Sequence, residues 1–289
     1  MNARYFQVDV FTQTPGGGNP LGVVLDAKDW SDAEMQSFAA YTDLVETTFV
    51  LPPRAPGADY WLRIFTPYRE IGFAGHPSLG SAHVLLDEGL LHAADGLLRQ
   101  ECGAGIVEIR RDGEDLFFRA PQARILAQGI EAHPLLAATL RQRALGALAP
   151  ALVEGGRRWW MAEFANEMEV RAWHPDHAAI GALARASDTL GLCVFARSAA
   201  DPQALVVRAF PAGVGIVEDP ASGAANGLIG AYLSLVASAA DPLRRGYVVS
   251  QGREIGHDAT LRLRYADDGA VWVGGRTHTV IRGAVRWGR

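Results

Sequence analysis

The chain matches itself at half its length. Arg63 and Phe65 of "LRIFTP" return 145 residues later as Arg208 and Phe210 of "VRAFP". Pro77, Gly80 and Ala82 return 143 residues later as Pro220, Gly223 and Ala225, and Phe49 corresponds to Phe195 at an offset of 146. Upstream of both aromatic positions lies a helix-like segment. The first, "SDAEMQSFAAYTDL", carries Met35, Phe38 and Ala39 at helical spacing and leads into the strand-like "ETTFVL". The second, "PDHAAIGALARA", leads into "GLCVFA". One offset near 145 in 289 residues is a doubling of the chain. It differs from the roughly 20–50-residue period of a solenoid. Two similar lobes are expected, and a chain that is 49% hydrophobic can give each its own core.

Strand candidates in the first half are "YFQVDVF", "LGVVLDA", "ETTFVLP", "WLRIFTP" and "IVEIRR". In the second they are "RRWWMAEF", "LCVFARS", "LVVRAF", "ATLRLRY" and "AVWVGG". Short turns as well as helices join them, which favours mixed or antiparallel sheets and an α+β fold. The lobes are expected to divide near "FRAPQARIL": residues 1–120, completed by 275–289, and residues 121–274. The segment "ASGAANGLIGAYLSLVASA" is small or apolar nearly all round, as befits a helix enclosed by its own lobe. The first lobe's counterpart ends near Gly89, a suitable residue just past a helix C-terminus.

Both central helices are expected to open on a titratable residue followed by proline: His76-Pro77 in "GFAGHPSLGSAHVLL" and Asp219-Pro220 in "GIVEDPASGAANGLIG". Proline suits the first helical position, so His76 and Asp219 read as N-caps. A helix N-terminus offers free N–H groups and partial positive charge to a carboxylate or phosphate. Glycine at 80 and 223 would let a ligand approach the backbone closely. If the lobes face each other, a small anion would sit between His76 and Asp219. Glu46 opens "ETTFVL", whereas its approximate counterpart in the second half is Leu192, give or take one position. One carboxylate without a symmetric twin suggests a single acid/base, with partial burial raising its pKa toward neutrality.

Other chemistries find less support. The formal net charge is −5 and no Lys/Arg block stands out, so nucleic-acid binding is not expected. The N-terminal residues lack a signal-peptide apolar core and no stretch reaches the roughly 20 apolar residues of a membrane span, which makes a cytoplasmic protein the expectation. Cys102 and Cys193 form no CxxC, so no structural metal site is expected. Cys193 reads as buried and Cys102, beside turn residues, as more exposed. "HPDH" at 174–177 reads as a helix start rather than a metal pair, and "TPGGGNP" as a turn entering a strand through Asn19 and Pro20. "TPGGGNPLG" lacks the ending of a phosphate loop, and the glycines of "AGVGIVED" fit no dinucleotide fingerprint.

Taken together, Glu46, "FAGHPSLG" and "EDPASGAANG" make this chain closely resemble the PhzF-like family of phenazine biosynthesis, which shares the diaminopimelate epimerase fold. The likeness also runs through "VDVFTQTPGGGNPLGVVLDA", "RIFTPYREIGFAGHPSLGSA", "VSQGREIG" and "VWVGG". It implies two similar lobes, each a strand barrel around a central helix, with the active site between them. It further implies a cofactor-free isomerase of small anionic substrates, commonly a homodimer, such as that of trans-2,3-dihydro-3-hydroxyanthranilate. Carried over, Glu46 would take and return the proton. His76 and Asp219 would bind and orient the substrate, and the backbone N–H groups of Gly75 and Gly223 would hold its carboxylate. Ser222 and Ala224 would line the same pocket. The family's second motif usually reads DPATGSA, and here Ala224 replaces a common serine, removing one hydrogen bond worth about 0.5–1.5 kcal/mol. Ser222 keeps a hydroxyl. Two alternatives stand beside this reading: a non-catalytic metabolite- or protein-binding scaffold, and an amino-acid epimerase or racemase. The latter is less favoured, because its two cysteines would occupy the helix starts held here by His76 and Asp219.

Overall fold

The computed structural model describes residues 2–200 and 202–288. The chain forms two compact units, Met1–Arg119 with Gly274–Arg289, and Ala120–Val273. The first contains β1 (Asn2–Val10), β2 (Asn19–Leu25), α1 (Asp32–Thr42), β3 (Glu46–Leu51), β4 (Tyr60–Phe65), β5 (Glu70–Ile71), α2 (Gly75–Asp87), β6 (Leu97–Cys102), β7 (Gly105–Asp112) and β8 (Asp115–Arg119). The C-terminal strand Thr277–Arg286 pairs antiparallel with β1. From β1 the order runs antiparallel to β2, parallel to β3, antiparallel to β4, parallel to β6, then antiparallel through β7 and β8. These strands wrap α2, which touches β1, β2, β3, β4, β7, β8 and the C-terminal strand.

The second unit contains β9 (Arg124–Gln128), α3 (Pro134–Thr139), β10 (Ala151–Gly155), β11 (Arg157–Glu163), α4 (Glu167–Arg171), α5 (His177–Ser187), β12 (Gly191–Arg197), β13 (Gln203–Phe210), α6 (Gly223–Val236), β14 (Tyr247–Gln251), β15 (Ala259–Tyr265) and the start of β16 (Val271–Gly275); the C-terminal strand is β17. Its pairing repeats the first unit's: β10 antiparallel to β11, β11 parallel to β12, β12 antiparallel to β13, β13 parallel to β14, β14 antiparallel to β15. β9 stands to β10 as β17 stands to β1. The fold is α+β, two copies of one strand-wrapped helix, and α6 packs on β10, β11 and β15.

The outer helices repeat most faithfully. α1 is started by a capping box, Ser31 with Glu34, and stopped by Asp43 in the left-handed region at φ 52°. α5, offset by 145 residues, is started by Asp176 and stopped by Asp188 at φ 51°. Each packs its apolar stripe outside the third strand of its unit. In the first unit Phe38 and Trp30 meet Phe49, and Phe49 meets Phe65 edge-on at 5.4 Å. In the second, Ile180 and Leu183 join Trp160, Phe164, Trp173 and Phe210. The third strands β3 and β12 are thus covered on both sides.

The central helices begin differently from the sequence expectation. α2 starts at Gly75 with Ala74 as its N-cap, so His76 and Pro77 are its second and third residues. Proline is tolerated throughout the first turn, where no intrahelical N–H bond exists to lose, so it does not mark the first position. α6 starts at Gly223, capped by Ser222, whose Oγ accepts from Ala225 N at 3.3 Å. Asp219 lies upstream: its N–H donates to Ala209 O at 2.9 Å, and its Oδ1 accepts from Ala221 N at 3.1 Å in an Asx turn. Neither His76 nor Asp219 is an N-cap.

Two further expectations change. Cys102 is buried, 6% exposed, with Sγ 3.5 Å from Gly105 O. Gly80 serves packing rather than ligand approach. A Cβ there would lie 2.5 Å from Leu21 Cδ2, 2.9 Å from Val10 Cγ2 and 3.0 Å from Val8 Cγ2. Gly80→Ala gains about 1 kcal/mol of helix propensity but overpacks stiff valines at a cost of about 1–3 kcal/mol. A net loss near 1 kcal/mol is expected in urea denaturation; a stabilised variant would contradict this account of the helix–sheet contact.

Candidate active site

Strand β3 alternates faces, so Glu46 and Thr48 point the same way. Thr48 Oγ1 lies 2.9 Å from Ser81 Oγ of α2, both buried, which fixes that face on the central helix. Two strand residues span roughly 6.6 Å and five helical residues roughly 7.5 Å, so Glu46 falls opposite the first turn of α2. There its Oε2 lies 3.3 Å from His76 Nε2, with the side chains 12% and 8% exposed. Glu46 and His76, both expected from the sequence, are thus brought together by the fold.

Burial lowers the His76 pKa from 6.5 to about 3. The imidazole is therefore neutral near pH 7 and meets Glu46 as an uncharged neighbour rather than a cation. The unfolded chain binds this proton below about pH 6.5, whereas the folded one does so only near pH 3. Stability is thus full above pH 6.5 and is lost as pH falls from there toward 3. His76→Gln removes that contribution. The stability difference between pH 7 and pH 4.5 is expected to shrink by roughly 2–3 kcal/mol in urea titrations of the variant. An unchanged difference would contradict a neutral buried imidazole.

Gly75 is dictated by the same turn, because a Cβ there would enter the Phe118 ring at 2.4 Å. As first residues of their helices, Gly75 and Gly223 present N–H groups that the helices themselves leave without partners.

In the second unit Asp219 is half-buried, Ser222 and Gly223 are buried, and Ala224 is exposed. Ser222 Oγ is engaged in capping α6. Glu218, just before Asp219, is held by Arg208 through Nε at 2.9 Å and a second nitrogen at 2.8 Å, with both side chains buried. Arg63 grips Glu70 in the same way at the matching point of the first unit. Each pair anchors the residue five positions before its central helix. The arginines were legible in the sequence match; their glutamates were not.

The repeat also shows why the first unit alone carries the titratable pair. Counting from the helix starts, His76 is matched by Ala224. By strand register, Thr47 opposite Phe65 matches Leu192 opposite Phe210, so Glu46 is matched by Gly191, within one position of Leu192 as expected. Phe49 is likewise matched by Val194, not Phe195, since they face Arg63 and Arg208. A Cβ at 191 would lie 1.9 Å from Phe210 O, so no side chain fits there.

Among the described residues, no group of three or more His, Cys, Asp or Glu side chains is placed to hold a metal ion. Asp176 of "HPDH" caps α5 through Ala179 N at 3.0 Å. No described helix is long and apolar enough to cross a membrane.

Comparison with known proteins places these features in a family. The model of the phenazine biosynthesis-like proteins, PhzC-PhzF, matches residues 8–283, and the chain belongs to that family. It is 32% identical to Antisense-enhancing sequence 1 of Schizosaccharomyces pombe over 96% of both chains. It is also 32% identical to the trans-2,3-dihydro-3-hydroxyanthranilate isomerase of Pseudomonas aeruginosa over 90% of both. The crystal structure of a PhzF-family phenazine biosynthesis protein from Enterococcus faecalis superposes with a TM-score of 0.81 at 27% identity. That match covers 99% of this chain and 100% of the other.

Proposed function

We propose that this chain is a cofactor-independent isomerase that moves a proton within a small cyclic carboxylate, trans-2,3-dihydro-3-hydroxyanthranilate or a close analogue. The observation that carries this reading is the buried Glu46–His76 contact at the first turn of α2. Glu46 takes a proton from a substrate carbon and holds it as the carboxylic acid. It then returns the proton to another carbon of the conjugated system, giving an enol, which becomes the keto isomer by losing its hydroxyl proton and gaining one at the adjacent carbon. His76 stays neutral, so it orients Glu46 and the substrate without adding a positive charge that would trap the carboxylate in its ionised form. Asp219 binds and orients the substrate's polar groups, and the amides of Gly75 and Gly223 receive its carboxylate. The working unit is taken to be a homodimer.

Ala224 lacks the hydroxyl common at that position, which argues for an analogue of this substrate and slightly for a binding role. A relative covering 96% of its own length carries a name that describes no reaction. A metabolite- or protein-binding scaffold is therefore the second reading. Proton NMR of the purified protein with trans-2,3-dihydro-3-hydroxyanthranilate, then with a panel of small cyclic carboxylates, separates them. Catalytic conversion of one compound supports the isomerase. Saturable binding across the panel without conversion supports the scaffold.

A further inference from the structure

Each central helix is tied at its fourth residue by a fully buried glutamine. In the first unit Gln100 Nε2 donates to Ser78 Oγ at 2.9 Å and Gln100 Oε1 accepts from Tyr60 OH at 3.1 Å. In the second, Gln251 Oε1 accepts from Asn226 Nδ2 at 2.8 Å. Ser78 and Asn226 both donate onward to the carbonyl of their helix's N-cap, at 2.9 Å in each case. The glutamines lie on corresponding strands, β6 and β14. By register Gln251 sits two residues further along, on the same face. That displacement gives it contacts Gln100 lacks. Gln251 Nε2 donates to Asp219 O at 2.8 Å, and its Oε1 also accepts from Ser222 N at 3.3 Å. The carbonyl of Asp219 demands an N–H, so the orientation of the amide is fixed.

We infer that Gln251 is a positioning residue for the reaction proposed above. By bonding Asp219 O and Ser222 N it sets where the Asp219 carboxyl and the first amides of α6 are presented. The inference rests on Asp219 serving that reaction, but the placement itself does not. Gln251, Asn226 and Ser222 are 0%, 0% and 5% exposed, so no water replaces the amide if it is lost. Its three bonds act on one short segment, 219–226. A buried residue with a merely structural role would stabilise the unit without selecting the one peptide that carries a candidate catalytic group.

Two experiments test this. In the wild-type protein, amide hydrogen exchange at Ser222 is expected to be at least a hundredfold slower than in an unstructured chain. Ser222 precedes the helix, and its N–H is held by Gln251. Free exchange there would overturn the assignment whatever the protein's activity. Gln251→Glu keeps an acceptor for Ser222 N and Asn226 but loses the donor to Asp219 O. It is expected to lower kcat/KM at least tenfold near pH 7, through kcat as well as KM, with Ser222 still protected. Protonation of the introduced carboxyl restores the donor, so the ratio of variant to wild-type kcat is expected to rise as pH falls. A variant as active as wild type, or a loss confined to KM, would overturn the proposal. A protected Ser222 in a protein that turns over no substrate would refute the isomerase reading and leave Gln251 as the residue that fixes Asp219.

Discussion

Replacing Arg208 by alanine is expected to remove about 3–5 kcal/mol of folding stability. The Arg208 and Glu218 side chains are 6% and 4% exposed. One remaining guanidinium nitrogen also donates to Val170 O at 3.2 Å and Trp173 O at 2.5 Å. The alanine variant leaves a carboxylate and two carbonyls buried without their cation. Arg63, its partner in the repeat, gives the control. It binds Asp32 and Glu70, whose side chains are 84% and 44% exposed, so water reaches both carboxylates when it is removed. Pairs with exposed carboxylates contribute about 0–1 kcal/mol, so Arg63→Ala is expected to cost less than Arg208→Ala, its loss coming mainly from the packing of the 10%-exposed side chain against Trp61 and Phe65. Urea titrations followed by tryptophan fluorescence compare the two. Equal losses would mean that burial does not distinguish these ion pairs.

Glu46→Gln is expected to lower kcat roughly 10²–10⁴-fold, the range for losing a positioned acid/base, with KM nearly unchanged. The amide keeps the shape of the side chain and its contact with His76, but cannot accept and return a proton. Glu46→Asp retains the carboxyl on a shorter stem and is expected to lose less. Initial rates at saturating substrate read both. A fall of less than tenfold in Glu46→Gln would assign the proton transfer to another group.

The sequence match located the outer helices and third strands well because their signals are local. Caps, turn residues and apolar spacing recur in α1 and α5 at one offset, 145. The central helices were visible as buried segments, yet their starts were misjudged. Proline fits any residue of a first turn, and an aspartate before proline forms an Asx turn as readily as a cap. The match also drifts between the strands and the helices. Arg63 and Arg208 are 145 apart, but Glu70 and Glu218 are 148 apart, so the second members of these ion pairs fell out of register. β17 gave no pattern because it is largely exposed, and its pairing with β1 joins the two ends of the chain. Gln251 was invisible for a different reason. A glutamine in a short strand carries no periodic signal, and its role exists only once Asp219 and Ser222 are brought beside it.

The most direct test of the proton-shift account is isotopic. Wild-type protein is incubated with trans-2,3-dihydro-3-hydroxyanthranilate, or with whichever carboxylate of the panel it converts, in D2O, and the product is read by NMR and mass spectrometry. The account predicts conversion in which Glu46 carries the proton between carbons. Deuterium enters at the carbon that receives it, to an extent set by exchange of the Glu46 carboxyl with solvent, and conversion is slowed at least roughly a hundredfold in Glu46→Gln. Isomerisation that is slowed less than tenfold in Glu46→Gln, with the same isotopic outcome, would contradict it.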